Sequence, residues 1–392
     1  MPRNIKDLCP QPSFLPHQTT EPAVPPVHLT SVWKCASAAD ADRMLGGETA
    51  GFVYQRDDHP NASLLTDRCC QLHGAERAVA TASGMGALAA ALLSQLRRGD
   101  HVVVSRQLYG RSLHLFTQEA ERLAVSSTVL DTCDLAAVRA AMRAETRLIF
   151  TETISNPTLR VADVEGLAEI ASAHDALLMV DNTFASPVVC RPLELGAHLV
   201  MESMTKLMNG HSDVLLGLLC GGEETMREVP RTLSTWGLTS SPFDCWLAAR
   251  GVATMHLRVE QACRNASAAA EFLAERPEVA HVDYPGLPGH PGHELAARQF
   301  QGCFGALVTF HLAGGRTAAD TFLDATKQVL HFFPSLGDVA TSISHSLSTS
   351  HRGLSRAQAQ QLGISAGTIR VSAGIESTDF VLEALQQGLA QL

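Results

Sequence analysis

The stretch "AHLVMESMTKLMNGHSD", residues 197–213, decides how the rest of the chain is read. It begins as a short apolar run, the length of one buried strand. Ser203, Thr205 and Lys206 follow at once, and an Asn-Gly turn signal comes at Asn209–Gly210. Lysine is costly to take out of water, and most lysines stay exposed. One set between hydroxyl residues at the end of a buried strand asks for a chemical reason.

Similar apolar runs recur through the chain and alternate with helical patterns. Strands are expected at 77–82 ("RAVATA"), 101–105, 147–152, 176–181, 197–203 and 214–221, and helices at 84–99, 112–124 and 163–175. Short apolar strands alternating with helices form crossover units around a mostly parallel sheet. After about residue 250 the texture shifts. One long helix is expected over 251–276 and a strand over 304–312, before a closing "GTIRVSAGIES" segment and a final helix. This divides the chain into a Pro-rich extended arm at 1–55, a large α/β domain at 56–250 and a smaller α/β domain at 251–392.

The net charge is −10, and Lys and Arg are not clustered, which argues against nucleic acid as a main partner. No run of about 18 apolar residues is present, so no membrane partner is expected. The opening "MPRNIKDLCPQPSFLPHQTT" lacks a basic stretch followed by an apolar one, so no secretory signal is expected either. Ten scattered cysteines without a C-x-x-C suit free thiols in a reducing, cytoplasmic setting. Charged residues make up 18%, fewer than the roughly one quarter usual in soluble domains, which points to much buried surface, including oligomer surface.

In an open parallel sheet, ligands sit at the carboxyl ends of the strands. "ASGMGAL" (82–88) follows one strand and opens a helix, so its backbone N–H groups can meet an anion. Position 89 is Ala, so this is no dinucleotide fingerprint, and no P-loop occurs. Asp181 ends another strand. Each feature alone has an ordinary explanation: a structural turn, a helix cap, a surface lysine. Together they match one cofactor, pyridoxal 5'-phosphate. It carries a phosphate, a ring nitrogen that works best protonated, and an aldehyde that condenses with lysine. A lysine desolvated near cationic groups has a lowered pKa and becomes a competent nucleophile and base. Lys206 is then the lysine that takes the cofactor, with the Ser203 and Thr205 hydroxyls on the phosphate.

"SMTKLMNGHSD" resembles the S-x-T-K-x-x-x-G-H-S-D segment of the Cys/Met-metabolism pyridoxal-phosphate enzymes. These include cystathionine γ-synthase, the cystathionine lyases, methionine γ-lyase and the homoserine-ester sulfhydrylases. The resemblance runs in order along nearly the whole chain: "YQR" (54–56), "SGMGA" (83–87), "LYG" (108–110), "SNP" (155–157), "VDNTFASP" (180–187), "YPGLPGHPGHELAARQF" (284–300), "SLGDV" (335–339) and "RVSAGIE" (370–376). It implies the aspartate-aminotransferase type of fold, fold type I of the pyridoxal-phosphate enzymes. It also implies roles. Gly84 and Met85 give backbone donors to the phosphate, and Tyr109 stacks on the ring. Asp181 holds the ring nitrogen protonated, and Asn156 bonds near the ring oxygen. Arg370 grips the substrate carboxylate, with Ser335 beside it. Tyr54 and Arg56 reach the cofactor phosphate of a neighbouring subunit, in dimers paired into tetramers. The implied chemistry is elimination or replacement at Cγ of a sulfur amino acid or homoserine ester. Lys206 moves the proton, and Tyr109 is a candidate acid or base.

The sequence departs from the family at several places. "HPN" (59–61) stands where the family reads Asn-Pro-Thr, Ala340 where it commonly has glutamate, and Arg111 and His114 after the Tyr-Gly. Arg111 is either an outward-facing arginine or a second cation for a distal anionic group of the substrate. No metal site is expected, the histidines of "GHPGHE" (289–294) included. β-Elimination from cystathionine is the alternative reaction. A nucleotide-binding oxidoreductase and a catalytically silent relative are the alternatives of other classes.

Overall fold

The computed structural model describes residues 4–9, 11 and 22–392. The expected arm at 1–55 therefore falls partly outside the described residues. Seven strands build a large sheet: β1 (Arg77–Thr81), β2 (His101–Ser105), β3 (Ser126–Leu130), β4 (Thr146–Glu152), β5 (Leu177–Asp181), β6 (Leu199–Ser203) and β7 (Gly217–Gly221). Their order is β1-β7-β6-β5-β4-β2-β3, parallel except for β7, which runs antiparallel to both its neighbours.

The apolar runs are explained by burial on both faces. Along β4, Leu148 and Phe150 join one core cluster and Ile149 the other, and β2 divides Val102 and Val104 from Val103 in the same way. Side chains alternate between faces, so a strand covered on both sides must be apolar at every position. The helix Gly84–Gln95 packs on the first face and Val164–Ala173 on the second.

A second sheet holds β8 (Val279–Asp283), β9 (Leu307–Leu312), β10 (His331–Phe332), β11 (Ser342–His345) and β12 (Thr368–Ser372), in the order β10-β11-β12-β9-β8. Only β10–β11 is parallel. The fold is the expected α/β class, with a mostly parallel large sheet and a second, smaller one. Among the described residues no helix is long and apolar enough to cross a membrane.

The structure differs from the expected elements in several places. The helix expected over 251–276 is two, Pro242–Val252 and Met255–Ala274. The break has a cause: the buried Arg258 guanidinium takes the Gly251 carbonyl (2.7 Å), together with those of Leu207 and Met208 (3.0 Å each). The helix expected to run to Gly99 stops at Gln95, because Leu96 turns extended and Arg97 donates to the Ser94 and Leu96 carbonyls. Strand β3 has mixed burial and carries no apolar run to announce it. The helix Pro60–His73 starts in the "HPN" departure.

That start is built by His59. Its Nδ1 accepts the Ala62 N–H (3.1 Å) and its Nε2 lies 3.3 Å from Ser240 Oγ, while Pro60 fills the first helical position. Only a neutral imidazole can accept that N–H. Burial brings the His59 pKa down to about 4. Unfolded His59 titrates near 6.5. Between these values the unfolded chain binds the extra proton, so the stabilisation is complete above pH 6.5 and is lost as pH falls toward 4. Buried His73 shifts the same way, to about 3, and His290 and His351 to about 4. His59→Ala should cost about 1 kcal/mol at pH 7. His59→Asn, which caps without titrating, should show a smaller fall in urea midpoint between pH 7 and pH 5 than the wild type. An equal fall in both would remove His59 from the pH dependence.

Candidate active site

A cavity of about 260 Å³ opens at the carboxyl edge of the large sheet, where the second sheet closes over it. The ends of β1, β2, β4, β5 and β6 each deliver something to its wall. Ser83, Gly84 and Met85 follow β1, and Tyr109 follows β2. Glu152 ends β4, with Asn156 just beyond. Asp181 ends β5, and Ser203, Thr205 and Lys206 come from the end of β6. The second sheet contributes Arg370 from β12 and Ser335 from the loop after β10. Ten of the residues singled out in the sequence thus share one wall.

Ser83 caps the helix Gly84–Gln95 through its Oγ on the Gly86 N–H (3.1 Å). The Gly84 and Met85 amides, first in that helix, have no acceptor among the described residues, and they carry its positive end. A Cβ on Gly84 would come within 3.0 Å of Met201 Cε and Ser203 Cβ, so glycine lets the helix start abut β6.

Lys206 Nζ donates to Ser335 Oγ at 2.6 Å. Burial, and then the nearby Arg370 cation, bring its pKa down to about 8. Arg370 is itself buried. Its Nη1 donates to Asn156 Oδ1 and its Nη2 to the Ser335 carbonyl, both at 2.9 Å, while Nε has no protein partner. Desolvation lowers its pKa to about 10, so it stays charged. Asp181 accepts the Thr183 N–H (3.0 Å), and burial raises its pKa. Thr205 Oγ1 is tied to the backbone of Leu216 (3.3 and 3.2 Å).

Other predicted residues lie elsewhere. Tyr54 and Arg56 are outside the cavity, with the Arg56 guanidinium 4.8 Å from the Tyr54 ring centroid and its Nε 3.4 Å from Ser234 Oγ. Arg111 is exposed on the first turn after Tyr109 and is not among the lining residues, nor are His114 and Ala340. His290 and His293 are engaged with the backbone, at the Gly292 N–H (3.0 Å) and the Pro285 carbonyl (2.9 Å). Sequence reading missed Glu152, Thr183 and the Thr349–Ser350 pair on the wall. Glu152 had a usable signal: like Asp181, it is a carboxylate at the end of an apolar strand.

Residues 13–390 match the family described as Cys/Met metabolism PLP-dependent enzyme. The chain belongs to this family. It is 42% identical to an O-succinylhomoserine sulfhydrylase of Pseudomonas aeruginosa over 363 residues, 93% of this chain and 90% of that one. It is 40% identical to a cystathionine gamma-synthase of Mycobacterium tuberculosis over 355 residues, 90% of each chain. A solved structure from Campylobacter jejuni, a putative O-acetylhomoserine (thiol)-lyase carrying N'-pyridoxyl-lysine-5'-monophosphate, superposes with a TM-score of 0.94 at 25% identity, covering 99% of this chain and 100% of that one.

Pyridoxal phosphate is the family's cofactor, and the cavity fits it. Free amides at a helix start suit a phosphate, a buried carboxyl suits a protonated ring nitrogen, and a lysine of lowered pKa suits an aldehyde. The lowered Lys206 pKa has a measurable consequence. Only the neutral amine attacks an aldehyde, so the rate of cofactor uptake by the apoprotein should rise about tenfold per unit below pH 8. It should level off above about pH 9, and a rise continuing to the ordinary lysine pKa near 10.4 would contradict the desolvation argument. Stopped-flow absorbance after adding pyridoxal phosphate would measure it.

Proposed function

We propose that the protein catalyses elimination or replacement at Cγ of a sulfur amino acid or homoserine ester. The observation that carries this reading is the placing of Lys206, Asp181 and Arg370 around one cavity. When bound, pyridoxal phosphate supplies an aldehyde that condenses with an amine and a ring that withdraws electrons from the substrate's Cα. Gly84 and Met85 amides and the Ser203 hydroxyl would hold the phosphate, joined by the Thr205 hydroxyl once it turns from the Leu216 carbonyl, and Asp181 would keep the ring nitrogen protonated. Tyr109 would cover the ring, and Asn156, which fixes Arg370 through its Oδ1, would lie near the ring oxygen.

Arg370 orients the substrate. Two of its N–H groups are spent on Asn156 and Ser335, and Nε and the outer N–H groups remain for a carboxylate fork. Lys206 accepts the Cα proton as a neutral amine, and its bond to Ser335 holds Nζ on the Arg370 side of the cavity. Tyr109 is the candidate acid or base for the group leaving Cγ. Water or a thiol then decides lyase or synthase.

Tyr54 and Arg56 lie away from their own chain's cavity and are exposed, as residues serving a neighbouring subunit would be. The proposed unit is accordingly a dimer with shared sites, paired into a tetramer, with an amino acid as its small-molecule partner. The ten cysteines are all free, in keeping with a cytoplasmic location.

The reaction is tested by incubating the holoenzyme with methionine, cystathionine and homoserine esters, with and without thiol, and identifying products. A 2-oxo acid or a thioether product is expected, and Lys206→Ala should abolish it; no turnover on any member of the panel would sink the reading. In the same panel Arg111→Ala tests a distal-anion contact. Such a contact is worth roughly 10- to 150-fold in kcat/KM on cystathionine or O-succinylhomoserine and nothing on methionine. Equal effects on both kinds of substrate would leave Arg111 outward-facing. Sharing is tested by mixing Arg56→Ala with Lys206→Ala chains. Some hybrid dimers then hold one complete site, and activity should partly return; none in verified hybrids would count against sharing.

A further inference from the structure

Glu152 is the one acidic group of the cavity wall that the proposed chemistry leaves without a task. It ends β4 and is the register partner of Asp181 on β5. Alternation puts both carboxyls on the face that carries Leu148, Phe150 and Met179. Glu152 Oε1 accepts the backbone N–H of Tyr109 at 2.6 Å, while Oε2 is buried and has no hydrogen-bond partner among the described residues. Tyr109 needs such a support. It precedes the helix that begins at Gly110, no side chain caps that start, and the tyrosine itself is 42% exposed. The Tyr109 carbonyl accepts the Leu113 N–H at 3.0 Å, and the Glu152 contact fixes the other side of the same residue.

We propose that Glu152 is a positioning residue, one that sets Tyr109 over the cofactor. The short N–H···O contact crosses from β4 to the loop after β2, so it ties the covering ring to the same strand pair that carries Asp181. Two buried carboxyls side by side do not both ionise. Asp181 carries the Thr183 amide on its Oδ1, as Glu152 carries the Tyr109 amide on its Oε1. Burial and the Asp181 charge push the Glu152 pKa well up, so Glu152 is the neutral partner. A neutral acid still accepts the Tyr109 N–H on its carbonyl oxygen and keeps its proton on the other.

The proposal rests on the placing of Tyr109 against pyridoxal phosphate. Its readout is cofactor affinity, which does not depend on which substrate is used. Apoprotein is titrated with pyridoxal phosphate and followed by absorbance. Glu152→Ala should raise the dissociation constant about tenfold, the worth of one net hydrogen bond. Glu152→Gln, neutral and able to accept at the same reach, should stay within about threefold of the wild type. In a Tyr109→Ala background Glu152→Ala should add less than about twofold, since the two residues would act as one. If the alanine variant does not fold, Glu152→Asp, one methylene short of the contact, takes its place in both comparisons. Affinity lost equally in the glutamine and alanine variants, full multiplication of the two effects in the double variant, or no loss in any variant would each overturn the proposal.

Discussion

Two cations buried in one cavity are the constraint around which the molecule is arranged. Lys206 and Arg370 are both withdrawn from water; burial lowers the preference of each for charge, and the Arg370 cation lowers that of Lys206 further. Neither has a salt bridge among the described residues. They are held by neutral acceptors instead: Ser335 Oγ for Lys206, and Asn156 Oδ1 and the Ser335 carbonyl for Arg370. Salt bridges would occupy the very N–H groups a substrate carboxylate needs. Neutral partners leave Arg370 charged with donors to spare, and leave Lys206 close to releasing its proton.

Those acceptors come from both sheets, so the cavity exists only when the second sheet docks. Asn156 reaches Arg370 from the large sheet, and Ser335 reaches back to Lys206 from the loop after β10. The approach is tight. Gly337 has φ +82°, and a Cβ there would stand 2.6 Å from the Leu207 amide nitrogen, which only glycine avoids without strain. From the other side Arg258 binds the Leu207 and Met208 carbonyls and breaks a long helix to do so. The turn after Lys206 is thus gripped from two directions, and helix regularity at Gly251 is given up for it.

The acidic wall follows the same economy. Asp181 and Glu152 stand side by side at adjacent strand ends, one with the Thr183 amide and one with the Tyr109 amide. The sheet register makes them neighbours, and burial makes the pair hold fewer than two charges. The shared carboxyl edge of parallel strands sets Lys206 and the acidic pair along the cavity, and β12 of the second sheet brings Arg370 to it.

Much of this was legible in the sequence, for a physical reason. Strands covered on both faces must be apolar throughout, so β2, β4, β5 and β6 announce themselves, and their polar last residues mark the ligand edge. Lys206 and Asp181 could be singled out because two charges ending apolar runs occur together with an anion-binding turn. Strand β3, with exposed and half-buried positions, sends no such signal. His59 reads only as a departure from Asn until its ring is seen accepting the Ala62 N–H. Glu152 was passed over because its partner, the Tyr109 amide, is a backbone group with no letter of its own. Side-chain periodicity records which face a residue turns to, so the sequence alone marked the apolar strands, their ligand edge and the candidates Lys206 and Asp181 on it. Which of those groups touch depends on register and on the docking of β12 and the loop after β10. Contacts such as Lys206–Ser335, 129 residues apart, were decided only by the tertiary structure.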